Sequence, residues 1–206
     1  MLTLNIKKNT ADLNSRKRRK GEVTLRIAYD DDRLAQADDL KNIEEIHMIP
    51  SGIASDQGVW VPGKYRGLKL DPFQKKAIHA VASGFSTIVS APTGVGKTLI
   101  ADYLVEMTSA QSKQVIYTAP IKALSSQKYK DFKAIFGEDA VGIMTGDVVI
   151  NRDAPVLVMT TEILRNIIFA EPERLDDVSW VIFDEIHYLG DEDRGHVWEQ
   201  CIILLP

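Results

Sequence analysis

Two short stretches of this sequence gather residue types that can handle a phosphorylated ligand. The first, Ala91-Pro92-Thr93-Gly94-Val95-Gly96-Lys97-Thr98, follows the apolar run Ser86–Ser90. Small residues there let backbone N–H groups turn inward around phosphate oxygens, and the amino end of a following helix adds a favourable dipole. The spacing lets Lys97 reach the β- and γ-phosphates of a nucleoside triphosphate and offers the Thr98 hydroxyl to Mg2+. Ala91 stands where such loops commonly begin with glycine; alanine is small enough to serve, so the departure narrows the kind of loop. The second stretch, Val181-Ile182-Phe183-Asp184-Glu185-Ile186-His187, is an apolar run ending in two acids. Asp184 can hold a Mg2+ that bridges the β- and γ-phosphates, and Glu185 can accept a proton from the water attacking the γ-phosphate. His187 lies in the turn that follows, where a hydrogen bond can report nucleotide state to neighbouring loops. Alone, such an acid pair is equally compatible with helix capping; with the phosphate loop upstream it reads as part of one site.

These residues need a scaffold, and the pattern from Leu70 onward supplies one. Ser86–Ser90, Val115–Ala119, Val141–Thr145, Val156–Thr160 and Trp180–Asp184 are short apolar runs rich in β-branched residues. Helical stretches at Thr98–Thr108, Ala123–Phe136 and Glu162–Phe169 separate most of them. Near-continuous apolar strands alternating with helices predict an α/β fold: a mostly parallel sheet with helices on both faces, its ligands beyond the carboxyl ends of the strands. Composition shifts near residue 50, which divides the chain into an N-terminal extension, 1–50, and the main domain, 51–206. The extension holds a basic cluster at Arg16-Lys17-Arg18-Arg19-Lys20, a β-like run at Val23–Tyr29 and a helical pattern from about Leu34 to Met48. The cluster is readable as a phosphate-contacting arm or as a solvated, mobile terminus.

The whole-chain properties set limits. At 206 residues, 45% hydrophobic, the chain has the size and composition of one ordinary globular domain with an appendage. Its formal net charge of -4 gives no bulk attraction for nucleic acid, so any such binding must come from a local surface. A single cysteine, Cys201, excludes an internal disulfide and a cysteine-based zinc site. No apolar run approaches the roughly 20 residues that span a bilayer, and the N-terminus lacks a secretory core. No membrane association and a cytoplasmic location are expected.

The two motifs together resemble superfamily two helicases, whose phosphate loop commonly begins with alanine. The tail DEIHYLGDEDRGHVWEQCIILLP is more specific and resembles the superkiller and exosome-associated group of DExH-box RNA helicases, with Arg194, Gly195, Trp198 and Glu199 matching an Arg-Gly…Trp-Glu helix. The resemblance covers about Leu70 to Pro206 and implies the first RecA-like domain of an ATP-dependent enzyme that uses Mg2+. It implies that Gln74, in Leu70-Asp71-Pro72-Phe73-Gln74, reads the adenine edge. Leu68 stands where relatives often stack an aromatic ring on the base. Pro120, Lys122 and Ala123, with Gln127, resemble motif Ia; Thr145, Gly146 and Asp147 resemble motif Ib; Thr160 and Thr161, with Glu162, resemble motif Ic. Those three segments would grip a nucleic-acid backbone, single-stranded RNA by resemblance and DNA by alternative, without reading sequence. Each also reads as ordinary helix capping when taken alone.

The resemblance further implies a second motor domain carrying arginines that stabilise the departing phosphate, and a possible RNA-decay complex as partner. No serine-alanine-threonine motif follows the Trp-Glu helix before Pro206, so the chain by itself is expected to bind ATP weakly, to hydrolyse it very slowly and to unwind nothing. The competing readings are a DNA-repair helicase, a non-catalytic nucleotide or nucleic-acid binding module, and an unrelated phosphate-loop ATPase. His47 and His79 are read as surface residues on helices, Trp60 and Trp180 as packing residues, Cys201 as buried, and Asp191-Glu192-Asp193 as a solvated turn.

Overall fold

The computed structural model describes residues 1–5, 46–49 and 61–206. Its strands are β1 (Leu2–Asn5), β2 (Ile46–Ile49), β3 (Lys64–Tyr65), β4 (Leu68–Lys69), β5 (Ser86–Val89), β6 (Gln114–Ala119), β7 (Val141–Met144), β8 (Val149–Ile150), β9 (Val156–Thr160) and β10 (Val178–Phe183). Its helices are α1 (Pro72–Ala82), α2 (Thr98–Ser109), α3 (Lys122–Phe136), α4 (Thr161–Ala170) and α5 (Gly195–Leu204), with 3-10 turns at Pro172–Leu175 and Ile186–Gly190. Eight strands form one sheet in the order β2-β5-β1-β10-β6-β9-β7-β8, while β3 and β4 make a separate hairpin. In the large sheet β10, β6, β9 and β7 are parallel neighbours. β5 points the same way, since β1 pairs antiparallel with both β5 and β10.

Alternation along the strands explains the layers. Val115 and Tyr117 of β6 and Val156 and Val158 of β9 join Ile78, Ile100, Leu104 and Phe132 on the face covered by α1, α2 and α3. The intervening Ile116, Leu157 and Met159 join Leu164, Ile167, Trp198 and Cys201 beneath α4 and α5. A strand whose residues are buried on both faces needs apolar side chains at every position, which is what these runs contain. Helix starts have local causes as well. Pro72 occupies the first position of α1 and the Asp71 amide donates to Gln74 Oε1 at 2.9 Å, half of a reciprocal capping arrangement.

From Leu70 onward the expected strands and helices are present with ends shifted by at most two residues, and α1, α5 and the short strand β8 are added to them. Two features differ from the sequence reading. β1, in the stretch assigned to the extension, lies in the middle of the sheet, with Leu2 opposite both Phe183 and Ile88. β2 occupies positions where the last turn of a helix was expected, and pairs antiparallel with β5 from Ile46↔Val89 to Ile49↔Ser86. His47 is therefore on a strand. The physical reason is the same in both cases: four residues have no helical or strand preference strong enough to resist an available row of backbone donors and acceptors. Over these residues the division at position 50 does not separate two structural units. The basic cluster, the Val23–Tyr29 run, the start of the Leu34–Met48 pattern and Trp60 lie outside the described residues.

Candidate functional site

The Ala91–Thr98 loop leaves the carboxyl end of β5 and enters α2 directly. Gly94 and Gly96 both adopt the left-handed backbone region, at φ of 86° and 85°, which a glycine reaches without strain. A Cβ at Gly96 would stand 2.7 Å from the Gln74 side-chain amide nitrogen, so any larger residue there would have to displace the end of that side chain. Gln74 Nε2 donates to the carbonyls of Gly96 (3.1 Å) and Val95 (3.4 Å). Its two polar ends are thus spent on the loop and on the start of α1. Gln74 is buried, and in this arrangement it braces the phosphate loop from beneath. Lys97 Nζ donates to the carbonyls of Ala91 (2.6 Å) and Pro92 (2.8 Å), curling the side chain over the loop. Thr93, Gly94 and Thr98 are exposed.

Asp184 and Glu185 follow β10 at the same edge of the sheet, two strand spacings (about 10 Å) from β5. Tyr117 on β6 donates its hydroxyl to Asp184 Oδ2, and the Glu185 amide donates to Oδ1 at 3.0 Å. Burial, reinforced by the Asp184 charge, pushes the Tyr117 phenol well above its ordinary pKa, so it remains a donor. Below it, Lys128 of α3 lies over the rings of Phe132 and Tyr117 and pairs with Asp102 of α2 at 3.2 Å. Glu185 sits in the left-handed region at φ 48°, ψ 47°, a conformation that costs a non-glycine residue about 1–2 kcal/mol. His187 Nδ1 lies 3.3 Å from Glu185 Oε2.

The other sequence-derived residues occupy the neighbouring strand ends. Pro120, Lys122 and Ala123 follow β6, Thr160 and Thr161 join β9 to α4, and Thr145, Gly146 and Asp147 follow β7. The sheet order places these three turns in a row beside Asp184. Lys122 pairs with Asp147 across two of them. That contact holds the Asp147 carboxyl below its usual range, with Thr145 Oγ1 adding a hydrogen bond at 3.2 Å. Lys122, Ala123, Gly146 and Asp147 are exposed, whereas the Pro120, Thr145, Thr160 and Thr161 side chains are buried. The Thr161 hydroxyl has no hydrogen-bond partner among the described residues. Backbone groups at the amino end of α4, more than these hydroxyls, are what that turn presents to a phosphate.

Tyr117, Lys128 and Arg194 are the contacts the sequence reading missed. The only signal for Tyr117 was a phenol within an otherwise aliphatic run. In the sequence Arg194 stands out only as part of the Arg-Gly…Trp-Glu helix motif. Its Nη2 donates to the Pro120 carbonyl and, at 2.5 Å, to Glu162 Oε1. Asp191 accepts from the amides of Asp193 (3.1 Å) and Arg194 (2.8 Å), which makes 191–193 a turn that starts α5. Among the described residues there is no cluster of three metal-ligating side chains, and no helix is long and apolar enough to cross a membrane. Leu68 is exposed beside the start of α1.

A left-handed glycine loop and an acid pair at one edge of a mostly parallel sheet, helices on both faces, define a phosphate-loop α/β domain. The DEAD/DEAH box helicase profile matches residues 71–206, and the chain belongs to that family. It is 48% identical over 145 residues to the antiviral helicase SKI2 of Saccharomyces cerevisiae, covering 70% of this chain and 11% of that protein. It is 52% identical over 145 residues to the ATP-dependent RNA helicase mtr4 of Schizosaccharomyces pombe, covering 70% and 13%. The solved structure of Mycobacterium smegmatis helicase Lhr bound to ssDNA and AMP-PNP is similar with a TM-score of 0.52 and 29% identity, over 65% of this chain and 21% of that one. The chain is thus a helicase domain homologous to ATP-dependent RNA helicases, and it spans 11% and 13% of the length of these two curated relatives.

Proposed function

We propose that this chain is the ATP-gripping motor domain of an RNA helicase. The observation that carries the reading is the shared edge: the phosphate loop after β5, the acid pair after β10, and the three turns after β6, β9 and β7 all open on the same side of one sheet. Backbone N–H groups of 94–98 take the phosphates, and Lys97 leaves the Ala91 and Pro92 carbonyls to pair with the β- and γ-phosphates. Thr98 and Asp184 would hold Mg2+, which would offset the charge of the phosphate oxygens. The fit is chemical: an exposed hydroxyl and an oriented carboxylate are hard oxygen donors. Glu185 takes the proton of the attacking water, and His187, through its contact with Glu185, sets that carboxylate's orientation. Gln74 supports the loop from the adenine side.

Single-stranded RNA lies across the row formed by Lys122-Ala123, Gly146-Asp147 and the amino end of α4, contacting backbone and not bases. RNA is favoured over DNA by the ATP-dependent RNA helicase mtr4 at 52% identity, against a DNA-bound structure at 29%. The relatives' greater length supports a further reading: unwinding needs a second domain, and the 206 residues alone turn over ATP very slowly, since an arginine supplied from elsewhere accelerates such chemistry about 10³–10⁵-fold. Assembly into an RNA-decay complex and a cytoplasmic location belong to the same proposal.

The test is direct binding. A fluorescent ATP analogue with Mg2+ should bind the chain, and Lys97→Ala should weaken that binding at least about tenfold. A labelled oligouridylate should bind more tightly than the matching oligodeoxythymidylate, and Lys122→Ala should weaken it. Binding of neither ligand by the folded wild-type chain would sink the reading; a preference for DNA would replace RNA by the repair-helicase alternative.

A further inference from the structure

Arg194 stands where three structural units of the site meet. Its guanidinium donates to the Pro120 carbonyl, in the turn after β6, and to Glu162 Oε1 at 2.5 Å, in the first turn of α4 after β9. Its central carbon, Cζ, lies over the Tyr188 ring, 5.7 Å from the ring centre, and over that of Trp198 at 5.5 Å. Tyr188 in turn stacks on Trp198 at 5.6 Å and lies 5.0 Å from His187. One side chain therefore touches two of the strand ends in the nucleic-acid row and an aromatic pair, Tyr188 from the turn that follows Asp184 and Glu185 and Trp198 from α5. The Arg194 backbone is pinned as well, its amide donating to Asp191 Oδ1 at 2.8 Å.

We propose that Arg194 is a positioning residue that couples the Asp184-Glu185-Ile186-His187 turn to the turns after β6 and β9, so that nucleotide occupancy at the first is registered at the second. The inference rests on the function proposed above. Coupling between sites requires a contiguous set of contacts and acts reciprocally, and here the set is short. A shift of the 186–190 turn moves Tyr188, Tyr188 moves the guanidinium stacked on it, and the guanidinium carries Pro120 and Glu162. The geometry needs arginine. Both hydrogen bonds leave one nitrogen, Nη2, so what arginine adds over a lysine ammonium is the flat guanidinium lying over the Tyr188 and Trp198 rings, which ties those acceptors to the aromatic pair.

Hydrogen exchange on the 206-residue chain, with and without saturating AMP-PNP and Mg2+, reads this coupling. In wild type the nucleotide should slow exchange by about threefold or more in residues 91–98 and 185–190, and also in 121–124 and 161–165. In Arg194→Lys the first two responses should persist and the last two should disappear. A merely structural role would raise exchange equally in the free and bound states and leave the nucleotide-dependent difference unchanged. Persistence of the 121–124 and 161–165 responses in Arg194→Lys would overturn the proposal. So would a wild-type chain that responds at 91–98 and 185–190 alone, which leaves nucleotide binding intact. A wild-type chain with no response at 91–98 would overturn the nucleotide-binding reading and this inference with it. Should Arg194→Lys fail to fold, Glu162→Gln, which weakens only the α4 end of the link, should lose the nucleotide response at 161–165 and keep that at 121–124; persistence at 161–165 would overturn the proposal.

Discussion

Asp184 is oriented by two hydrogen bonds from protein groups, one from the Tyr117 hydroxyl to Oδ2 and one from the Glu185 amide to Oδ1 at 3.0 Å. The carboxylate is thereby fixed in one rotamer, with remaining lone pairs free for a cation. Tyr117→Phe removes one of these bonds while keeping the ring, which packs edge-on against Phe132 with centres 5.4 Å apart. A hydrogen bond to a charged group contributes about 1.5–3 kcal/mol, and part of that is expected to appear as freedom of the carboxylate to rotate. The Mg2+ concentration needed for half-maximal binding of a fluorescent ATP analogue should therefore rise about three- to tenfold. An unchanged or lower requirement would show that Tyr117 does not position Asp184. Glu185 adds a second constraint, because its left-handed backbone aims the side chain out of the strand direction and toward His187. None of this orientation was readable in sequence. The acid pair itself was, since strand-then-acid after a phosphate loop is a local pattern; the phenol that steers it comes from a strand 67 residues earlier.

At the scale of elements, the junction between the 186–190 turn and α5 depends on Gly195. A Cβ built there would stand 2.3 Å from the Leu189 carbonyl oxygen and 3.1 Å from its carbon, both backbone atoms that cannot swing aside. The sign of one substitution therefore separates two effects. Alanine is a better helix former than glycine, by up to about 1 kcal/mol in a helix interior and less at a first position such as this one, so Gly195→Ala would stabilise the chain if only propensity mattered. The close contact should instead win and destabilise by about 1–3 kcal/mol, the range for overpacking. Urea unfolding followed by circular dichroism checks it, and a higher midpoint would refute the argument. The comparison of sequence with structure is instructive at this same scale. α2, α3, α4 and the parallel strands were legible because each is long enough to show its own period and is bounded by its own loop. β1 and β2 were not. β1 pairs with Trp180–Phe183, far along the chain, and no local pattern in Leu-Thr-Leu-Asn announces a partner so distant. The final residues of the Leu34–Met48 pattern satisfied helical spacing equally well until backbone pairing with β5 decided the matter.

For the molecule as a whole, the two faces of the sheet divide the work: α1, α2 and α3 back the phosphate loop, while α4 and α5 carry Glu162 and the tail that holds Arg194. Loss of the α4–α5 face should therefore unseat the proposed nucleic-acid row as well as the core. Cys201 lies at the centre of that face, fully buried, its Sγ 3.6 Å from the Thr161 carbonyl. Burial pushes its thiol from the ordinary 9.0 up to about 12. A group that keeps its proton when folded after the unfolded chain has released it contributes stability that is present below the unfolded pKa and lost above it. Stability should thus be unaffected by this thiol below pH 9 and should fall between pH 9 and about 12, at up to about 1.4 kcal/mol per pH unit. Tyr65 and Tyr103, whose phenols burial also raises, act in the same direction at still higher pH. Urea midpoints measured from pH 8 to pH 10.5 should decline, and Cys201→Ala should start from lower stability because of the space it leaves, yet decline less steeply between pH 9 and 10. A wild-type slope equal to that of the variant would mean that the thiol titrates alike in the folded and unfolded chain. The α4–α5 face would then be open to water in solution.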